Sequence, residues 1–388
     1  MSYEFLQQYW WFVISLLGGL LVFLLFVQGG QSMIFSLSKT DDERRLLVNV
    51  LGRKWEYTFT TLVTFGGAFF ASFPLFYSTS FGGAYWAWIV VLLCFVIQAV
   101  SYEFQSKPGN LLGKKTWQTF LLINGIGGTF LLGVVVATLF TGSDFTVNKA
   151  NLTNLSDMPI ISTWNNAWHG LDALANPRNW LLGFAVLFLS RTLASLYFIN
   201  RLEHKKLEAR AKKFLWYNAI PFLVFFLAFV IWTLSAKGFA VDPSTGDVSL
   251  VAYKYFINLI EMPLVLLIFL TGVVGVLFGI TMTVLKDGYK KGIWFTGAGT
   301  VLAVLALFLI LGYNNTAFYP AVNHSQTVES LQSSLTIYNA SSSYFTLKTM
   351  FYVSFFIPFV LAYIFYAWRS LEKKPSTVED LDADGHAY

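Results

Sequence analysis

Nine long apolar stretches divide this chain, at roughly 10–30, 56–78, 83–103, 117–141, 180–200, 214–235, 261–285, 293–312 and 347–368. Each is near or above the ~20 residues a helix needs to cross a hydrocarbon layer about 30 Å thick. The expected fold is therefore an all-α polytopic membrane protein with nine transmembrane helices. Composition leaves little room for another class. Hydrophobic residues make up 56% of 388 and charged residues 12%, about half the charged share of an ordinary soluble domain. None of the four histidines falls in a stretch: His169, His204, His324 and His386 lie in polar loops or the C-terminal tail. A membrane cytochrome usually holds haem iron through His or Met at membrane depth. The pattern therefore argues against a chain that carries its own haem.

No basic region, short apolar core and cleavage site open the sequence, so the segment from Trp10 reads as a retained span. Cys94 is the single cysteine, which excludes disulfide frameworks and cysteine metal sites by count. Pro221 and Pro358 fall inside apolar stretches, where neighbouring helices can satisfy the freed carbonyls. Of the 26 Lys and Arg, 20 lie in loops 31–54, 104–115, 201–213 and 286–292 and in the tail, 5 lie in the opposite loops, and Arg191 is mid-span. That bias places the N-terminus outside and the C-terminus in the cytoplasm. The outer loops at about 142–179, 236–260 and 313–346 are long and polar, and Thr163–Trp168 suits an interfacial segment. Residues 1–368 form the expected membrane domain. The tail 369–388, ending in Glu379, Asp380, Asp382 and Asp384, is expected to be cytoplasmic and disordered.

Few ionisable residues approach membrane depth, and each is a functional candidate by default. Glu56 opens the second span and shares one helical face with Thr60 and Thr64, continued by Gly67 and Ala71. An acid followed by hydroxyls and small residues suits a proton path, although threonines in membrane helices also bond back to their own backbone. Glu103 closes the third span beside Lys107, either as a proton-path member or as an interfacial acid touching the basic loop. Glu261, before Met262-Pro263, reads as an ordinary helix start. Arg191 must face protein, water or an acid, and a buried structural pair is the expected arrangement. Gln28 and Gln31, separated by Gly29-Gly30, either present amides or mark close packing. Gly125-Ile126-Gly127-Gly128 and Gly275–Gly279 suit close helix approach, since no phosphate-loop Lys-Ser/Thr accompanies them. The basic run His204–Lys213 reads as a topology signal, not a nucleic-acid site.

Four segments, in order, resemble subunit II of the cytochrome bd-type quinol oxidases, over a likeness running from Trp10-Trp11 to the ninth span. Asp42-Glu43-Arg44-Arg45 leads to Trp55-Glu56, where the family typically has Trp-Asp. Gly66–Pro74 follows, with Tyr77 and Phe81. Tyr102-Glu103-Phe104-Gln105-Ser106-Lys107 is similar to the family's Phe-Asp-Tyr-Arg-Ser-Lys, and Ser334–Ser343 precedes Thr346-Leu347 and Met350. The resemblance implies two four-helix bundles plus one peripheral helix, in a bacterial inner membrane. It implies a haem-bearing subunit I as partner, carrying b-type and d-type haems, oxidising quinol and reducing oxygen. This chain would bind no haem with its own ligands, would catalyse nothing alone, and would stabilise the partner while supplying part of a cytoplasmic proton path. Membrane lipid and quinone are the further expected partners, no nucleic acid is, and whether a small single-span accessory subunit joins stays open.

Two departures bear on that path. Relatives often carry aspartates where this chain has Gln28 and Gln31, and the family's Arg-Pro before the third-span acid stands here as Gln98-Ala99. A neutral amide does not exchange protons as a carboxylate does. The rival from another class is a proton-coupled secondary transporter with Glu56 and Arg191 lining a substrate path. Transporters often interrupt helices at paired positions in two halves, and no such pair is evident in the sequence.

Overall fold

The computed structural model describes residues 1–148, 161–322, 328–372 and 377. Lys149, His324, His386 and the acidic end of the tail lie outside the described residues. Among the described residues, seven helical segments are long and apolar enough to cross a membrane, and the number reaches nine if each of two bent pairs is one span.

The first span joins α1 (Tyr3–Leu24) to α2 (Phe26–Gln31) through Leu25. Short α3 (Ile34–Leu37) and α4 (Asp41–Gly52) then follow the inner loop. Thr40 and Glu43 form a capping box at the start of α4, the local signal that turns a basic loop into a helix. α5 (Trp55–Ser72) completes the arm Asp41–Ser72 of a bent pair, set at 117° to Pro74–Gly82, which joins α6 (Pro74–Phe76) to a π-helical turn, Tyr77–Gly82. Proline has no N–H to extend α5, so the helix breaks at Phe73, inside the 56–78 stretch. α7 (Tyr85–Phe104) is straight, whereas α8 (Lys114–Ile123) and α9 (Thr129–Thr141) meet through a π-helical turn, Asn124–Gly128. α10 (Pro177–Arg201) and α11 (Lys205–Ser235) follow, the latter with Pro221 inside it.

α12 (Lys254–Glu261) precedes α13 (Pro263–Leu285) and α14 (Gly292–Gly312). Glu261 is therefore the last residue of α12, not a first-turn acid of the span. Its carboxylate accepts from the Asn314 amide at 2.6 Å. After α15 (Val328–Leu331), the last span is the second bent pair, α16 (Tyr344–Ser354) and α17 (Ile357–Leu371), at 44°. Its helix continues past residue 368 to Leu371.

The fold is helical but not purely so. Among the described residues, two antiparallel strand pairs lie between the long helices: β1 (Phe145–Val147) with β2 (Ser162–Trp164), and β3 (Lys237–Val241) with β4 (Val248–Ala252). Asp242, accepting from the Ser244 backbone at 2.8 Å, and Gly246 at φ +77° close the second hairpin. In the body, α1 packs on α5 and α14, α2 packs on α10, α9 and α11 flank α10, and α13 pairs with α14. Trp11 of α1 is fully buried and donates its indole N–H to the Phe308 carbonyl at 3.0 Å. Such packing, rather than expulsion of water, holds helices together in lipid.

Candidate functional site

Glycines bring three helices together around the end of the first span. A side chain at Gly29 would collide with the Ser190 carbonyl of α10, and one at Gly125 with the backbone of Gln28 and Ser32. The π-helical turn at Asn124–Gly128 is the kind of local widening that re-aims one side chain. Gln28, Gln31, Gln98, Tyr102 and Asn124 thereby meet, all essentially buried. Gln28 donates to Gln98 at 2.7 Å, Gln31 donates to the Tyr102 hydroxyl at 3.0 Å, and Asn124 donates to Gln31 at 2.9 Å and also to Gln98. The two glutamines turn their amides to these partners, and the glycines between them lie against α10 and Leu51. None of these five side chains is a carboxylate, so the node can orient hydrogen bonds without binding or releasing protons as a carboxylate would. Gln98→Leu is expected to lower stability by about 2 kcal/mol, because Gln28 and Asn124 lose a buried acceptor. Thermal denaturation of the purified complex checks this, and an unchanged midpoint would mean the amides contribute nothing.

A second cluster lies at the N-terminal end of α5. Lys54 is 1% exposed, with its ammonium 3.8 Å from the Trp368 ring centroid and 3.5 Å from the Glu372 carboxylate. The same carboxylate oxygen accepts from the Tyr197 hydroxyl at 3.3 Å and lies 3.9 Å from the Arg201 Nε. Arg201 also donates to the Glu372 carbonyl at 3.0 Å. Beside it, Trp55 stacks on Tyr102 with centroids 6.0 Å apart, linking this cluster to the amide node. Burial pulls the Lys54 ammonium down from 10.5 to about 8, against the opposing attraction of Glu372. A value below the unfolded one means the charged lysine costs stability, in full below about 8 and progressively less as pH rises toward 10.5. Glu372→Gln, which leaves two cations around a neutral amide, is expected to cost about 3 kcal/mol. Lys54→Met should be neutral or stabilising. Equal losses in the two variants, read from denaturation midpoints, would show instead that the pair is a net stabiliser.

The other candidates separate in space. Glu56, Thr60 and Thr64 lie on the outward face of α5, exposed together with Val63 and Phe70. The Thr64 hydroxyl donates to the Thr60 carbonyl at 2.8 Å, the local back-bond open to a helical threonine. Glu103 is exposed and pairs with Lys107 at 3.0 Å, the interfacial arrangement. Arg191 finds no acid among the described residues, and its buried Nε has no hydrogen-bond partner there; the structure does not supply the expected pair. His169 and His204 lie outside the spans, the first bonded through Nδ1 to the Gly83 carbonyl at 3.0 Å, the second capping α11.

The fold defines a helical, multi-span membrane protein, and among the described residues no group of three His, Cys, Asp or Glu side chains is placed to hold a metal. Residues 6–371 match the family model described as cytochrome bd terminal oxidase subunit II, and the chain belongs to that family. It is 26% identical over 400 residues to the cytochrome bd-I ubiquinol oxidase subunit 2 of Escherichia coli (strain K12), covering 100% of this chain and 99% of the relative. It is 29% identical over 379 residues to the cytochrome bd ubiquinol oxidase subunit 2 of Bacillus subtilis (strain 168), covering 96% and 97%. A chain of the solved bd oxidase from Geobacillus thermodenitrificans shares the fold at a TM-score of 0.63 and 12% identity, over 94% of this chain and 98% of that one.

Proposed function

We propose that this chain is the haem-free subunit II of a quinol:oxygen oxidoreductase, stabilising a haem-bearing subunit I and lining the cytoplasmic proton path to it. The b-type and d-type haems and the quinol site then belong to the partner, which performs the electron transfer. Nine spans as two four-helix bundles plus the peripheral last helix, with the N-terminus outside, complete the proposed arrangement in a bacterial inner membrane.

The observation that carries this reading is the outward stripe of Glu56, Thr60 and Thr64 on α5. A carboxylate and hydroxyls facing hydrocarbon are costly, so the stripe favours a protein surface covering it. The path then runs along the seam between two subunits. Glu56 takes a proton from the cytoplasmic side, and water ordered by the hydroxyls beyond it passes protons inward. Thr64 spends its own hydrogen on the Thr60 carbonyl, so it accepts a hydrogen bond from, and orients, water that carries the proton, and relays none itself while that bond holds.

Haem content is the direct test. Expressed without its partner, the chain should show no stoichiometric haem absorbance, because no span offers an axial histidine. One haem per isolated chain, retained through washing, would overturn the assignment.

A further inference from the structure

The turn between α7 and α8 displays two leucines that nothing in the described chain covers. Leu111 is 99% exposed and Leu112 54%. A lone surface leucine needs no account, but these two are adjacent and a built loop holds them out. Asn110 builds it. Its Oδ1 accepts from the backbone N–H of Leu112 at 3.2 Å and of Gly113 at 3.0 Å, and from Trp117 Nε1 at 2.8 Å. Its Nδ2 donates to the Gln105 carbonyl at 3.1 Å. Gly109 at φ +80° and Gly113 at φ +77° supply the left-handed backbone on either side of the tip. Phe104 stacks on Trp117 at 6.3 Å, giving the loop an aromatic base.

Both flanking helices belong to segments long and apolar enough to cross a membrane, so the loop emerges at the membrane surface. From Gln105 to Leu111 the chain reaches at most ~20 Å when extended, and the Asn110 bond to Gln105 draws it back inside that. The charges around the tip are basic. Lys107 pairs with Glu103, whereas Lys114 and Lys115 are exposed and pair with no acid among the described residues.

We propose that Leu111 and Leu112 form a finger that enters the interfacial layer of the bilayer, with Lys114 and Lys115 on the phosphates of anionic phospholipid. Leucines that would stand in water find apolar surroundings there, while the lysine stems keep their ammonium groups at headgroup level. Charge complementarity selects the anionic lipid. A protein socket that buried the leucines would draw the two unpaired lysines in with them and would have to neutralise both. The loop is already ordered before it inserts, so little conformational freedom is lost on contact. The inference rests on the chain spanning a membrane and is independent of any relay through Glu56.

The test replaces Leu111 by a benzophenone amino acid in the complete complex, held in nanodiscs of phosphatidylcholine and phosphatidylglycerol in equal parts. Haem spectra check assembly. Light should join the residue to phospholipid, with phosphatidylglycerol favoured. Lys114→Gln combined with Lys115→Gln should lower that preference about tenfold, the scale of two lysines near a charged surface. An environment-sensitive dye at the same position should be quenched by nitroxide on the upper acyl chain and shielded from aqueous iodide. Adducts mainly to the haem-bearing subunit would identify a protein socket and overturn the proposal. Quenching by iodide as strong as that of free dye, equal yields from the two lipids, or a preference unchanged in the double variant would overturn it too.

Discussion

Turnover of the assembled oxidase should fall about a hundredfold in Glu56→Gln, the scale on which a positioned proton carrier acts, while haem content stays normal. Glutamine keeps the length and the hydrogen-bonding ends of the side chain and removes only the titratable proton. The variant therefore separates proton delivery from assembly. Glu56→Asp should keep much of the activity, since it retains a titratable carboxylate one methylene shorter. Oxygen consumption per haem, measured on the purified complex, reads the effect. Loss of haem in Glu56→Gln would assign the residue a structural role, and full turnover with full haem would mean that protons enter elsewhere.

Deleting this chain should abolish quinol oxidation and strip the partner of its haems. The argument starts from what its surface presents. α7 exposes Ile89, Leu92, Leu93 and Val96, and α17 exposes Phe359, Tyr363, Phe365 and Tyr366. Lipid satisfies such residues individually, but it does not satisfy the carboxylate and hydroxyls of α5 or match a fixed relief. A subunit built against this relief loses packing along its whole height, and with it the support that keeps its haems bound. Redox difference spectra of membranes lacking the chain check this. Full haem content and oxidase activity without it would refute the stabilising role.

Much of the fold was legible in hydropathy and charge. Each of the nine apolar stretches overlaps a helix or a bent helix pair, because lipid allows few alternatives to a helix. What the pattern could not show is where helices bend or widen. Pro74 ends α5 early, and the π-helical turn at Asn124 hides inside a uniformly apolar run. The strand pairs were also missed, since strands of three to five residues leave too short an alternation to stand out.

The site was half legible. Gln28 and Gln31 stood out as polar interruptions, but their partners Gln98 and Asn124 lie 70 and 93 residues away and only packing joins them. Lys54 counted as one of many loop charges. Its burial depends on Trp368 and Glu372 from the far end of the chain. Arg191 stood out in the sequence as a cation inside an apolar stretch, yet the described residues supply no counter-charge.

The last helix is fastened at one end. No residue of α17 is buried, and its firm attachments are Trp368 over Lys54 and Phe26, with Glu372 just beyond. Helices held this way belong to the low end of local stability. In detergent, without a neighbour along its flank, α17 would swing away from the body like a strap undone at its buckle, uncovering Lys54. The choice of detergent therefore decides whether the isolated chain keeps its inner surface or loses it before anything else unfolds.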